Sequence, residues 1–505
     1  MWAQHRSSPT AWLHFVSFEG FPLTREDAAR ALATWPGLAP YAARLLAIWP
    51  APVQGIRQHV FTDLGVTLTL HLGDIQDMLP ASHFTADAWF LDGFSPAKND
   101  AMWARALYPA IVARSAENAR LGTFTVAGSV RRNLSDAGFE VAKVPGHGRK
   151  RERLEARLIN SAKPVPDTFG LRAMHPHASP RIAILGAGIA GASAAQALSR
   201  RGASVTIFDP ADKPASGASG NPLGLVMPRL DAGDSVQARL LIDAYIAALH
   251  AYAGLPGAYE TSVRQTPKDD TERLRFEKLL TDPPLPLEHL EAMSSGGLLH
   301  KGALIVEPTR LVSALLDTID LRLGVRPCVD LQARSVNGAP YDAIVFANAM
   351  AMKETFGWVS LEGRLGQVES LSGAATVQPD AIASGNYALA LKDQRLWGAT
   401  FEKLSDTALA ATSDNARATN NNALRHLSPW WQRDADGFPV ISRAAVRATT
   451  PDRLPLIGGV PDYERALETF AGMRKGRPTD ADAPMLTGIY MVNGFGARGF
   501  TWAPW

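Results

Sequence analysis

The sequence predicts an α/β protein in two halves, each built around a mainly parallel sheet, and three observations predict it. Strand-like runs alternate with helical stretches on both sides of one seam. That seam, Ser161–Pro180, carries four prolines and neither helical nor strand periodicity, as a linker does. Just beyond it, an apolar strand runs into Gly186-x-Gly188-x-x-Gly191 and then a helical pattern.

Bulk properties narrow the class. A chain of 505 residues is too long for one ordinary core. Hydrophobic content of 46% against 20% charged is the balance of a globular chain. A net charge of +2 gives no overall electrostatic case for nucleic acid and leaves open a local patch. The single cysteine, Cys328, excludes a disulfide framework and a multi-thiolate zinc site, so a reducing compartment and no metal are expected. The opening MWAQHRSSPTAW has no apolar core of a signal peptide, and no apolar run is long enough to cross a bilayer. The expectation is a cytoplasmic, soluble monomer with no membrane contact.

In residues 1–160, Leu13–Glu19 reads as a short buried strand ending in an acid. Arg25–Pro50 reads as one helical stretch. Val66–Asp74 and Ala88–Phe94 read as strands running into turns, with Asp74 and Asp92 at their ends, and Gly122–Gly128 reads as another strand. On residue pattern alone, acids at strand ends are ordinary.

Beyond the seam, each glycine of the fingerprint has a physical role. Gly186 permits a sharp turn, Gly188 lets a pyrophosphate approach the backbone, and Gly191 lets helix and strand pack closely. The helix start then offers free N–H groups and the positive end of its dipole to phosphate. The next strand ends at Asp209, about 20 residues on, where a carboxylate suits a ribose 2′-hydroxyl. Strand, helix and acid agree on a dinucleotide and leave FAD and NAD open.

Ser216–Leu230 (SGASGNPLGLVMPRL) resembles a segment that lies along the cofactor in FAD amine oxidases. The likeness continues through KGALIVEP, YDAIVFANA, GRLGQVESL, LWGATFE, VRATTPDRLPLIGGVPD and NGFGARGFTWAP. From Arg181 onward the order and spacing resemble the FAD half of the bacterial bifunctional tRNA 5-methylaminomethyl-2-thiouridine biosynthesis family, with glycine oxidase a more distant likeness. LHFVSFEGFPLTREDAARAL, VTLTLHLGDIQDMLP and DAWFLDGFSPAKNDAMW resemble the methyltransferase half of the same family.

The resemblance implies a partial class I methyltransferase sheet at 1–160, a linker at 161–180, and an FAD-binding Rossmann domain with an inserted mixed-sheet substrate domain at 181–505. It implies FAD and S-adenosylmethionine as cofactors and a tRNA wobble uridine as substrate. The FAD half would remove the carboxymethyl group of 5-carboxymethylaminomethyl-2-thiouridine as glyoxylate. In relatives, methylation of the resulting amine follows. Ser219, Gly220, Asn221 and Gly499 would join the fingerprint and Asp209 around FAD. Arg447 and Arg498 would hold the substrate carboxylate, as arginine can bind both oxygens. Glu19 would hold the ribose of S-adenosylmethionine, Asp74 would contact its adenine, and Asp92 would face the accepting amine.

Two departures stand out. The residues before Leu13 form no Gly-rich loop, so weak S-adenosylmethionine binding and unpaired sheet edges are expected. The chain stops where relatives continue into a helix, so exposed apolar surface near the FAD site is expected. Gly146–Arg157, with Lys98, Arg131 and Arg132, is a candidate phosphate contact, and Trp430 and Trp431 are candidate stacking residues. A small-molecule amine oxidase and an inactive tRNA-binding remnant are the rival readings.

Overall fold

The first strand, β1 (Leu13–Glu19), forms where expected. The computed structural model describes residues 11–505 apart from 51, 100, 147, 149, 161–178, 232, 234, 287–288, 374–379, 405–409, 428–437 and 480. The expected linker, Trp430 and Trp431 therefore lie wholly or almost wholly outside the described residues. β1 runs parallel to β3 (Val66–Leu72), and β2 (Gly55–Phe61) pairs antiparallel on the other edge of β3. The expected single helical stretch is instead two helices, α1 (Arg25–Ala33) and α2 (Ala39–Ala47). Pro36 and Pro40 divide them; each sits at a helix start, where a missing N–H is tolerated, and neither could continue a helix.

α3 (Ile75–Ala81) follows, then a second sheet in the order β4-β5-β7-β6: β4 (Ala86–Leu91), β5 (Ser115–Thr123), β7 (Glu152–Leu158) and β6 (Phe139–Pro145). β5 corrects the strand expected at Gly122–Gly128. It starts at Ser115 and ends at Thr123 because Ala119, Leu121 and Thr123 alternate inward. α4 (Leu107–Ala113) and α5 (Gly128–Asp136) close this core through Ile111 and Leu134. Among the described residues, β1 and β4 each pair on one edge only, and no described strand lies between them. Phe15 on β1 and Phe90 on β4 are exposed, at 47% and 77%.

The second half opens with β8 (Arg181–Leu185), α6 (Ile189–Arg200) and β9 (Ser204–Asp209). These belong to a six-stranded sheet completed by β14 (Asp320–Leu323), β18 (Ala343–Phe346), β25 (Leu456–Pro461) and β26 (Met485–Asn493), in the order β14-β9-β8-β18-β26-β25. All pairs are parallel except β25 with β26. Ile182, Ile184 and Ile207 bury this sheet against α6 and α9 (Pro308–Leu315), as a two-faced parallel sheet requires.

A ten-stranded mixed sheet forms the second layer. It runs β10-β13-β11-β20-β21-β22-β19-β23, with β12 (Leu290–Ala292) on β13 and β24 (Ile441–Thr449) on β19. Its other members are β10 (Gly224–Val226), β11 (Ala258–Gln265), β13 (Leu298–Val306), β19 (Glu362–Ser372), β20 (Asp380–Ser384), β21 (Asn386–Leu391), β22 (Gln394–Gly398) and β23 (Glu402–Lys403). This is the mixed sheet that the family resemblance implies.

The two halves meet at α7 (Val236–Tyr252), which packs on β2. Arg57 and Asp243 form an ion pair there, their side chains only 3% and 9% exposed. The Ile56 N–H also donates to Asp243, at 3.2 Å, and the Thr62 hydroxyl donates to the Arg200 carbonyl at 2.9 Å. Burial holds the Asp243 carboxyl above its ordinary range, with Arg57 acting against that. The His59 and His250 rings lie 5.7 Å apart in the same seam.

Burial, then His250 and Arg57, push His59 down from 6.5 to about 4. The unfolded chain therefore takes up this proton near pH 6.5 and the folded chain only near 4, so unfolding binds protons in between. Stability is expected to fall as pH drops through that window. Melting temperatures measured against pH check it: His59→Gln should flatten the profile relative to the parent chain.

Candidate active site

The turn after β8 can be built only with glycine at two positions. Gly186 has φ +110°, and a Cβ on it would lie 2.5 Å from the Ala347 carbonyl oxygen. A Cβ on Gly191 would overlap the Gly186 carbonyl. The backbone is thereby laid open at Gly188, where α6 begins. Asp209 ends β9 and ties this turn down: one carboxylate oxygen accepts from the Ala187 N–H at 2.7 Å, the other from the Ala211 N–H at 2.8 Å. Each oxygen keeps a lone pair for a ribose hydroxyl.

Ser219 accepts the Ile189 N–H at 3.0 Å, which brings the Ser219–Asn221 segment to the start of α6. Arg443, on β24, pins that segment. Its guanidinium donates to the Asn221 side chain at 2.7 Å and to the Gly217 and Ser216 carbonyls at 2.6 and 3.1 Å. A side chain on Gly220 would overlap the Ala215 carbonyl and crowd this guanidinium. The side-chain oxygen of Asn348 is buried beside Gly186 with no hydrogen-bond partner among the described residues. A backbone cradle that any Cβ would fill, a carboxylate at the strand end and an orphaned acceptor together fit a flavin dinucleotide. Gly191→Ala is expected to give colourless protein; visible absorbance of the purified variant checks it.

Arg447 lies four residues after Arg443 on the same strand, hence on the same face. Gly366 on β19 makes room for it, since a Cβ there would overlap the guanidinium. Arg447 donates to the Thr400 carbonyl at 3.1 Å. Burial holds its pKa below the ordinary guanidinium value, with Tyr387 acting the other way. Arg498 sits in the Gly496–Arg498 turn that leads into α13 (Gly499–Trp502). Burial and, less strongly, Arg229 push it down to about 10, against Asp231.

The two arginines belong to one region. Thr449, at the end of β24, bridges to Phe495 just before the Arg498 turn. Gly499 abuts the start of α6, where a Cβ would come 3.1 Å from Ile189. The bridge sets β24, which carries Arg447, beside the Arg498 turn, and the Gly499 contact sets that turn beside the start of α6. Trp502 is buried against Leu241 and Ala244 of α7, while Trp505 is exposed.

In the first half, Glu19 and Asp74 are neighbours at the ends of β1 and β3, where the Gly73 N–H donates to the Glu19 carbonyl at 2.9 Å. Asp74 caps α3 by accepting the Gln76 N–H at 2.8 Å, and Glu19 accepts the Phe21 N–H at 2.7 Å. Asp92 follows β4 in the other sheet. All three carboxylates are exposed, and Glu19 and Asp74 keep lone pairs for a nucleoside, the part of S-adenosylmethionine they fit. In the basic stretch Gly146–Arg157, Lys150, Arg151 and Arg157 are exposed. The stretch enters β7, where Arg153 pairs with Glu155 and Arg157 donates to Asn118. Lys98, Arg131 and Arg132 are exposed.

Among the described residues, no group of three or more His, Cys, Asp or Glu side chains could hold a metal, and no helix is long and apolar enough to cross a membrane.

Residues 36–159 match the family of S-adenosyl-L-methionine-dependent methyltransferases, and residues 181–505 match the FAD dependent oxidoreductases. The tRNA 5-methylaminomethyl-2-thiouridine biosynthesis bifunctional protein MnmC of Maricaulis maris (strain MCS10) is 37% identical over 96% of this chain and 80% of its own. The protein of the same description from Caulobacter sp. (strain K31) is 35% identical over 99% of this chain and 80% of its own. Among solved structures, iminodiacetate oxidase (IdaA) from Chelativorans sp. BNC1 superposes with a TM-score of 0.50 at 21% identity, over 64% of this chain and 92% of its own, a likeness of fold.

Proposed function

The chain belongs to the family of tRNA 5-methylaminomethyl-2-thiouridine biosynthesis bifunctional proteins, and from that membership we propose how its residues serve a wobble uridine of tRNA. The FAD half, residues 181–505, removes the carboxymethyl group of 5-carboxymethylaminomethyl-2-thiouridine. The observation that carries this reading is the half-buried Arg447 guanidinium, given room by Gly366 on the neighbouring strand. The modified base bears an N-substituted glycine. Arg447 and Arg498 take its carboxylate through paired N–H donors, which fixes the neighbouring carbon relative to the turn. Bound FAD supplies a two-electron acceptor for that carbon. Water then adds to the C=N carbon and the C–N bond breaks, giving glyoxylate and the 5-aminomethyl base. A neutral amine needs no base to lose a hydride, and none is assigned.

In the first half, residues 1–160, Asp92 takes a proton from that amine during methyl transfer, and Glu19 and Asp74 hold the nucleoside of S-adenosylmethionine. Asp92→Asn is expected to abolish methyl incorporation into tRNA while glyoxylate release continues. Calorimetry tests the weak binding expected of this half, in which β1 and β4, in separate sheets, each pair on one edge only among the described residues; micromolar affinity overturns that expectation.

The experiment for the oxidative reading supplies purified flavoprotein with tRNA bearing the carboxymethylaminomethyl base. One glyoxylate per aminomethyl nucleoside is expected. Turnover of free glycine or sarcosine in preference to this tRNA would favour a small-molecule oxidase instead.

A further inference from the structure

A small cavity lies beside Arg447, apart from the flavin turn and the carboxylate clamp. It measures about 240 Å³, and its walls include Arg364, Arg453, Phe401, Thr449, Thr450 and Glu362. Arg364 stands directly opposite Arg447 across the antiparallel pair β19–β24. Like charges in that relation repel. Here both are supported by one aromatic ring, the guanidinium carbons of Arg364 and Arg447 lying 5.6 and 5.8 Å from the centre of Phe401.

Arg364 is only partly satisfied. One terminal nitrogen donates to Glu362 at 2.6 Å, while its Nε–H is buried with no acceptor among the described residues. Arg453 adds a second cation to the wall. It has φ +64°, a left-handed conformation unusual outside glycine, and its N–H closes the turn on the Thr450 carbonyl at 3.1 Å. Two arginines against one glutamate leave the lining positive, with Arg447 behind it.

We propose that this cavity seats a backbone phosphate of the tRNA, held by Arg364 and Arg453, beside the carboxylate clamp. The inference rests on the tRNA reading above. The reacting side chain has one carboxylate, already assigned to Arg447 and Arg498. The other anions that an RNA brings close to its reacting base are its phosphates, one per nucleotide. Arginine matches phosphate through paired donors.

Flavin-loaded full-length Arg364→Gln and Arg364→Lys variants test it, with exposed Arg453→Gln as a substitution that spares the core. The glutamine variants are expected to bind tRNA about tenfold more weakly at low salt, and to lower the slope of log affinity against log salt by about 0.7. KM for the free carboxymethylaminomethyl nucleoside, which has no phosphate, stays as in the parent, and flavin absorbance is retained. Arg364→Lys restores the slope. Unchanged tRNA affinity and slope in both glutamine variants overturns the inference. An equal rise in KM for nucleoside and tRNA also overturns it, because Arg364 would then belong to the carboxylate clamp. Failure of the tRNA reading itself would show differently: the parent protein would neither bind tRNA in a salt-dependent way nor release glyoxylate from it, and the phosphate seat would fall with it.

Discussion

Arg447→Ala is expected to lower kcat/KM for the carboxymethylaminomethyl substrate by about 100-fold or more while flavin stays bound. A buried charge that loses its hydrogen-bonded partner costs about 2–5 kcal/mol, and about 1.4 kcal/mol is a factor of ten. The substrate carboxylate would be the stranded partner. Flavin should survive because the loop along the cofactor is pinned by Arg443, whereas Arg447 touches the Thr400 carbonyl and the Phe401 ring. Arg447→Lys should recover only part of the rate, since an ammonium cannot present the planar fork. Glyoxylate release and visible absorbance, measured on the same samples, check both parts. An unchanged rate in the alanine variant counts against the clamp.

The second large effect is expected at the seam between the halves. Arg57→Ala leaves the Asp243 carboxylate without its cation in a site where both side chains are almost wholly enclosed. Breaking a buried pair from one side costs about 3–5 kcal/mol, whereas exchanging both members for apolar residues is often neutral. Arg57→Ala should therefore depress the melting temperature well below that of the double variant Arg57→Met with Asp243→Leu. A chain of this size need not melt in one step, so calorimetric midpoints are the quantity to compare. Equal midpoints for the single and double variants would mean that the pair does not brace the seam.

The glycine turn was legible because its requirement is local. Gly186, Gly188, Gly191 and Asp209 are set by spacing along one strand, one turn and the next strand. Arg443 and Gly366 were not, because each acquires its role only from a partner on another segment. A trace of Arg443 is visible afterwards, in its four-residue offset from Arg447 along a strand. The division of Arg25–Pro50 into two helices is written in Pro36 and Pro40. The displaced β5 is not: Gly122–Gly128 has the better strand composition, and burial of Ala119 and Leu121 decided against it. Arg57 and Asp243 are 186 positions apart, beyond the reach of any pattern in the chain.

The helix carrying Asp243 also backs onto Trp502, so one element braces the neighbouring half on one side and the turn next to Arg498 on the other. A joint locked in this way leaves little freedom for one catalytic centre to swing toward its companion. For both reactions to proceed on this chain, it is the anticodon arm that has to travel, letting go after loss of the carboxymethyl group and settling again for methyl transfer. Under single-turnover conditions, unmethylated aminomethyl RNA should then be trapped by excess competitor tRNA added between the two steps.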